Sequence, residues 1–502
     1  MLNWILLLIS VVAVYLLVNP LVTMMKLKMQ FGNAVYCKYF PIFGIIQVYR
    51  KSFKLTGNVH QWIMDIVAKH PEVKFVVANS INKPVIFIID PEYYKQIYLD
   101  HHLVTKHDQS GIKDFLLSGG LLFTEGPKWK QQRNLVGDHF LFQKLKARIP
   151  MINQVVKEKI NGMPVAEKMF EFICTITGEV VIRSFFGVEA EGWKINGKEA
   201  QIELGSIFAA FIKLRVTNFF VYFKQKILGV KSWQYCTKKE KEIMDRVTKI
   251  KQDIREVIFK RRDKIKQQGN YQGSGDFLDV YLKIFMEQNV YSSDRIETDE
   301  IVSQFITLFL AGTDTTGALV ANSLLFISEN KQYLQELRNE VNNVIGNGEI
   351  TPENINQLVF VESFLKEVMR LKPSVVYPIA RKAKQNLQIK DLHIKEGTIL
   401  LLGNFLANLN SQNYDNPLEF NPRRWLQQQP IKQDNGFINI PFAAGGRNCI
   451  GQHMAMIEAR IILAYLIRNY DIVRNPQVPK VQWPSRGTQT YIPDNAVHLV
   501  KI

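Results

Sequence analysis

Phe442-Ala443-Ala444-Gly445-Gly446-Arg447-Asn448-Cys449-Ile450-Gly451 is the stretch on which the reading of this 502-residue chain turns. A cysteine serves as metal ligand or nucleophile only as its thiolate, so a functional one needs a lowered pKa. Helix N-terminal N–H groups and a neighbouring cation both lower it. The spacing sets Cys449 just ahead of a helix opening at Ile450-Gly451, with Arg447 two residues upstream. Gly445, Gly446 and Gly451 let backbone approach a flat ligand closely, and Phe442 is placed to shield the sulfur from water. These are the needs of a thiolate bound to haem iron, where sulfur pushes electron density to the metal and favours O–O cleavage. A Gly-rich turn with an incidental cysteine is the plain alternative. The five fixed positions of Phe-x-x-Gly-x-Arg-x-Cys-x-Gly are far more specific than a lone glycine pattern.

Outward from this stretch, 47% of residues are hydrophobic, enough for a large core and too many for a disordered chain. No repeat or long low-complexity linker interrupts the sequence, so residues 29–502 read as one domain behind a short leader. Lys and Arg number 63 against 46 Asp and Glu, a formal net charge of +17. Such a balance favours anionic partners in general. The positive residues are spread, however. Lys238-Lys239 and Lys260-Arg261-Arg262 sit in helix-like stretches rich in Glu and Asp, the pattern of a solvated face, and no nucleic-acid motif accompanies them. Cys37, Cys174, Cys236 and Cys449 form no CxxC pair and no dense framework. That argues against a disulfide scaffold or zinc ribbon and fits a reducing compartment. Cys174 and Cys236, in apolar or helical surroundings, read as inert thiols.

Residues 1–25 carry no charged side chain. Ile5-Leu-Leu-Leu-Ile9 and Val11-Val-Ala-Val-Tyr-Leu-Leu-Val18, interrupted at Asn19-Pro20, belong to a run long enough for a bilayer core, which needs roughly 20 apolar residues. Lys26 and Lys28 follow it and nothing basic precedes it, so the positive-inside rule leaves the C-terminal bulk in the cytosol. A cleaved signal peptide is the rival. It has a basic start, a shorter apolar run and small residues at the cut site, and this segment lacks the first and shows no Ala-x-Ala site. Residues 1–28 therefore read as an N-terminal membrane anchor, with Tyr39-Phe-Pro-Ile-Phe-Gly44 turning the chain off the membrane.

Residues 73–77 and 85–89 are β-branched or aromatic runs, punctuated by Asn79 and Asn82-Lys-Pro84, and predict a strand pair. Asp90-Pro91-Glu92 then predicts a helix start. Most of the remainder has helical period. Residues 266–275, polar and Gly-rich, read as a surface loop. Residues 301–325 are nearly all apolar or small and predict a helix buried all round. Ala311-Gly312-Thr313-Asp314-Thr315-Thr316 breaks it chemically, and polar groups there are costly unless satisfied or used. Pro and Val in 373–379 predict a short β region, and 450–467 a second buried helix.

The cysteine stretch resembles the cytochrome P-450 family, and the resemblance covers most of the chain because further motifs occur in the family's order. Ala311-Gly312-x-Asp314-Thr315 is similar to the family's oxygen-activation helix. There a small residue makes room above the haem, and an acid–alcohol pair passes protons through a water chain. Alone, this motif could be a helix kink with back-bonded threonines. Glu367-x-x-Arg370 is a commonplace i,i+3 ion pair by itself. In the family it joins an arginine from a downstream loop, here Asn416-Pro-Leu-Glu-Phe-Asn-Pro-Arg-Arg424-Trp425, with Arg424 as third member and a scaffold role beneath the haem. Trp129-x-x-x-Arg133 shares one helix face, and the family uses this pair to hold a haem propionate by charge-assisted hydrogen bonds. Arg447 and, with looser spacing, Arg381 are expected to serve the remaining contacts. A surface Arg and a packed Trp are the plain alternatives for the third motif.

The resemblance implies a mainly α haem-thiolate fold with a small β portion behind an N-terminal transmembrane helix. It implies a monooxygenase with haem b on Cys449 and Asp314 and Thr315 delivering protons. One atom of O2 would enter a hydrophobic small molecule. Electrons would come from NADPH through a flavoprotein reductase, with cytochrome b5 as a further partner, since no Gly-rich nucleotide fingerprint follows a strand. The basic surface suits an acidic reductase. The implied location is the endoplasmic reticulum membrane, single-pass, with the catalytic domain in the cytosol. The Pro-rich hinge typical of microsomal members is reduced to Pro41 and Gly44, which leaves the domain's orientation on the membrane open. Two other classes stay open: a haem-thiolate isomerase or peroxygenase that needs no reductase, and a non-catalytic haem-binding sensor. The intact acid–alcohol pair counts against both. The substrate pocket is expected to draw on residues 111–121, 208–223, 308–311 and 375–379, all largely apolar.

Overall fold

The computed structural model describes residues 2–41, 43–108, 111–162, 168–187, 192–268, 276–287, 294–427, 431–432, 436–479, 485–486, 489–490 and 492–502. The chain is mainly helical with a small β portion, as expected. It forms two compact units, each from separate stretches. The first comprises Met1–Gln109, Ser363–Cys449 and Pro479–Pro493, and the second Ser110–Glu362, Ile450–Val478 and Asp494–Ile502.

The first unit opens on helix α1 (Leu2–Phe31), which runs through Pro20 without ending. Its last turns are core: Met24 and Leu27 are buried with Phe75, Ile86, Tyr93 and Leu400. Among the described residues, no helix is long and apolar enough to cross a membrane. Strands β1 (Val35–Cys37), β2 (Phe75–Ser80), β3 (Lys83–Ile88), β4 (Val104–Lys106), β5 (Arg381–Ala383) and β6 (Ile399–Leu402) form one sheet in the order β1-β2-β3-β6-β5-β4. β2 and β3 are the antiparallel pair expected from the two runs, with Phe75 opposite Ile88 and Ser80 opposite Lys83. Each also has a parallel neighbour, β1 and β6 respectively. Their near-continuous Val, Ile and Phe content follows, because such strands are buried on both faces.

Two expectations shift here. Asn79, read as punctuation, lies inside β2. Its buried side chain accepts from the Phe40 N–H at 2.8 Å and donates to the carbonyls of Phe40 and Ile81, both at 2.9 Å. The amide satisfies a neighbouring chain segment, so a buried polar residue is tolerated in the strand. The turn itself is Ile81-Asn82, with Ile81 at φ +57°, and Lys83 and Pro84 already belong to β3. Residues 373–379 form bends with a single β-bridge at Val375, so the expected β character is confined to one residue, and the continuous strand begins only at Arg381. Pro373 and Pro378 have no N–H to give a ladder. Helix α2 (Pro91–Leu99) starts as predicted, with the Asp90 carboxylate accepting from the Glu92 N–H at 2.9 Å and Pro91 in the first turn.

The second unit holds helices α3 (Gly126–Gly137), α4 (Met169–Phe186) and α5 (Asp294–Glu329). Helix α6 (Val359–Leu371) leads from this stretch into the next one of the first unit. Helix α7 (Gln452–Asn469) then leads into β7 (Tyr470–Arg474), which pairs antiparallel with β8 (Val497–Lys501). The two buried helices expected at 301–325 and 450–467 are α5, longer at both ends, and α7, which starts two residues later because Ile450 and Gly451 form a turn. Of the loop read at 266–275, residues 269–275 lie outside the described residues, and 266–268 still belong to the helix ending at Gln268.

Candidate active site

In the first unit the cysteine stretch is a folded loop. The Cys449 N–H donates to the Phe442 carbonyl at 2.8 Å, which closes the loop and brings the two residues together. Ala443 has φ +59°, a strained value for a residue with a side chain. Cys449 is exposed and in no disulfide. Helix α7 opens at Gln452 with Gly451 as its N-cap. The glycines have a different division of labour from the one expected. Gly445 (φ +68°) is dictated by the protein itself: a Cβ there would lie 2.2 Å from the carbonyl oxygen of Tyr98 at the end of α2. Gly446 lies within the short turn Gly445–Arg447. Gly451 would accept a Cβ, whose nearest neighbour would be Phe140 at 3.8 Å.

Positive charge gathers in the same unit. Arg381 is buried on β5, paired to Leu400 of β6 and Lys106 of β4, and its guanidinium donates to the Ile379 carbonyl. Arg447 ends the turn at Gly445. His101 follows α2, and its pKa is held below the ordinary value, first by burial and then by the nearby positive charge of Arg447, with a smaller contribution from Arg381. Two arginines and an imidazole thus share one neighbourhood. His101 escaped the sequence reading because it stands in none of the motifs, and the His101-His102 pair beside a helix end was its only signal.

Glu367 and Arg370 meet on α6 in a bidentate pair, with Nε to Oε2 at 2.9 Å and the second guanidinium nitrogen to Oε1 at 2.8 Å. Both side chains are 0% exposed. Arg370 also donates to the carbonyls of Asn408 (3.0 Å), Pro417 (2.6 Å) and Glu419 (3.0 Å), so it pins the 408–419 segment. Arg424 is the third member at longer range, 3.6 Å from Glu367, and donates to the Asp415 carbonyl at 3.0 Å. The direct donors to Glu367 from that loop are the Trp425 indole N–H (2.9 Å) and the Asn421 N–H (3.0 Å), which the motif did not flag. The Tyr414 ring lies 4.9 Å from the Arg370 guanidinium and 5.5 Å from that of Arg424.

In the second unit, Ala311, Gly312, Asp314 and Thr315 sit mid-helix on α5. The Thr315 hydroxyl donates to the Ala311 carbonyl at 2.6 Å, and Ala311 is exposed. Burial pushes the Asp314 carboxyl up to about 7. Upstream on α5, Gln304 accepts from the Leu121 N–H at 3.1 Å, and Thr307 abuts Gly120. The sequence reading named neither. Trp129 and Arg133 stand one turn apart on α3, both half-buried.

The donor set of the first unit fits a haem: an accessible cysteine for the iron, with Arg381, Arg447 and His101 suited to the two carboxylates of the group. This donor set, and on α5 an acid whose pKa lies near neutrality, are the features of the class of haem-thiolate oxidoreductases. Comparison with known proteins agrees. The family described as "Cytochrome P450" matches residues 37–495. "Cytochrome P450 CYP72A219" of Panax ginseng is 26% identical, covering 78% of this chain and 75% of its own length. "Cytochrome P450 4d2" of Drosophila melanogaster is 24% identical (86% and 87%). "7-deoxyloganic acid hydroxylase" of Catharanthus roseus is 26% identical (82% and 79%). The chain belongs to the cytochrome P-450 family, and it is a monooxygenase.

Proposed function

We propose that this chain inserts one atom of O2 into a hydrophobic small molecule, using NADPH electrons delivered by a flavoprotein reductase. The observation that carries this reading is Asp314, a half-buried acid whose loss of solvation raises its pKa to about 7, next to a threonine bonded back to its own helix. An acid poised near neutrality both gives and regains a proton in each cycle, and a haem isomerase has no need of one. Haem, when bound, supplies a redox-active iron whose thiolate ligand favours O–O cleavage. Cys449 would hold the iron, and Arg381, Arg447 and His101 of the first unit would hold the carboxylates. Asp314 and Thr315 hold and move protons at their carboxyl and hydroxyl oxygens, and the lack of a side chain beyond Cβ at Ala311 leaves room for substrate.

Leu116, Leu117, Leu121 and Phe309, all buried, support an apolar substrate. The relatives named for oxidation of 7-deoxyloganic acid and 11-oxo-beta-amyrin are only 26% and 25% identical, so the proposal stops at a hydrophobic organic compound. The charge-free stretch at 1–25 followed by Lys26 and Lys28 supports a single-pass anchor in the endoplasmic reticulum membrane with the catalytic part in the cytosol. The net charge of +17 supports docking of an acidic reductase, and cytochrome b5 is a second acidic electron donor of the same kind.

The deciding experiment is the carbon-monoxide difference spectrum of the reduced protein, wild type against Cys449→Ser, followed by turnover with NADPH and reductase. A red-shifted Soret band that the serine variant loses, and reductase-dependent oxidation of an apolar compound, are expected. A band that survives the serine change, or turnover with hydroperoxide and none with NADPH plus reductase, overturns the reading. Reductase turnover is expected to fall as salt rises, and a flat salt response removes the docking proposal.

A further inference from the structure

The face of α5 that carries Thr313 is closed by α4, and the contact is unusually tight. A Cβ on Gly178 of α4 would come within 2.7 Å of Gln201 Cβ and 3.3 Å of Thr313 Cγ2. A Cβ on Gly317 of α5 would lie 2.6 Å from Cys174 Sγ, and one on Gly312 would lie 3.0 Å from Val181 Cγ2. Cys174, Thr177, Gly178 and Val181 are spaced i, i+3, i+4 and i+7, so they share one face of α4. Glycines on both helices let the backbones approach closely.

Two polar contacts cross this seam at its middle, both onto the Thr313 carbonyl: a short one from the Thr177 hydroxyl and a long one, at 4.0 Å, from the Cys174 thiol. The buried Thr177 hydroxyl has a single proton and three carbonyls in reach: Ile173 at 3.3 Å, Cys174 at 3.4 Å and Thr313 at 2.9 Å. A helical threonine ordinarily bonds back to its own i−3 or i−4 carbonyl. Here the shortest contact goes to the other helix. The Thr313 carbonyl belongs to the peptide unit whose N–H is that of Asp314. Two residues earlier, the Ala311 carbonyl is taken by the Thr315 hydroxyl at 2.6 Å. Asp314 therefore sits beside two carbonyls that each receive a threonine hydroxyl, one from its own helix and one from α4.

We propose that Thr177 is a positioning residue for Asp314, holding the Thr313–Asp314 peptide in place through the Thr313 carbonyl. This rests on the role given to Asp314 above. A peptide plane fixed from the far side of the helix sets where the Asp314 side chain leaves the backbone, and small misplacements of a proton-transfer group are costly.

Thr177→Val removes the hydroxyl at nearly constant volume, and Thr177→Ser restores it. Amide exchange across residues 311–317 is expected to rise roughly five- to tenfold in Thr177→Val and to return in Thr177→Ser. Product formed per NADPH consumed should fall roughly three- to tenfold in the valine variant and recover in the serine variant, with the carbon-monoxide difference band and substrate affinity unchanged. Gly178→Ala, which widens the seam without touching the hydroxyl, should reproduce both changes. Thr177→Ala takes the place of the valine variant if that one does not fold. Unchanged exchange overturns the proposal. Raised exchange with unchanged coupling reduces Thr177 to a packing residue and overturns it equally. A wild type without the haem-thiolate band would instead sink the proposed function, and the exchange comparison would still decide whether Thr177 holds the helix.

Discussion

Asp314 has a measurable signature in stability. Its carboxyl titrates near 7 in the fold and near 3.8 when exposed, because burial disfavours the anion. The folded state then binds more protons than the unfolded state between these values. Stability from this group is fully present below about pH 4 and is lost as pH rises through about 7. Thermal denaturation of wild type against Asp314→Asn should show the wild type losing ground from pH 4 to 7, with the two curves parallel above. A pH-independent difference would contradict the burial argument. The residue scale is also where the sequence was most readable. Cys449, Asp314, Thr315, Glu367 and Arg370 were visible because each chemistry needs particular side chains at short fixed spacings. His101, Asn421 and Trp425 were not, since they act through contacts with residues far along the chain.

At the scale of elements, α6 and the cysteine loop lend themselves to decisive substitutions. Arg370→Ala leaves the buried Glu367 carboxylate with only the Trp425 and Asn421 N–H groups in direct contact and Arg424 at 3.6 Å. Removing one partner of such a pair costs about 3–5 kcal/mol, and chemical denaturation should show a loss of that size together with lower haem retention. Arg370→Lys is expected to recover only part of it, because an ammonium cannot make the bidentate contact and reach three carbonyls. The loop glycines should separate sharply. Gly445→Ala combines a left-handed φ with a backbone collision at Tyr98 and should destabilise by about 3 kcal/mol or more. Gly451→Ala, at φ −88° with only an ordinary contact to the Phe140 ring at 3.8 Å, should fall within about 1 kcal/mol of wild type. Helix existence was legible from long apolar runs of helical length, as α5 and α7 show. The extent of β structure in 373–379 was not, because Pro373 and Pro378 give no ladder donors and the segment keeps only a single bridge at Val375.

At the scale of the molecule, the two units could not be read from sequence, since each is assembled from stretches that alternate along the chain. No composition change marks where one passes to the other, and the passage at Cys449-Ile450 falls inside the motif itself. The N-terminus offers a test at this scale. If the proposed anchor holds, deleting residues 2–20 releases the protein from membranes with little effect on its melting temperature. Deleting residues 2–31 removes Met24 and Leu27 from the core of the first unit, and Phe31 from its edge contact with Phe75 at 5.0 Å. Losing buried side chains of this size costs about 2–5 kcal/mol each, so the longer deletion should melt many degrees lower. Equal melting of the two truncations would show that the end of α1 contributes no core.

The seat of Gly445 on Tyr98 also has a meaning in time. The loop carrying Cys449 docks on helix α2, made about 350 residues earlier, and contacts of such sequence separation close late and slowly. During synthesis from the N-terminus, α2 waits for almost the whole chain before its partner arrives. On the proposed ligation, cofactor capture by Cys449 would then be among the last events of maturation. Variants that slow this closure should accumulate as haem-free protein even where their final stability is unchanged.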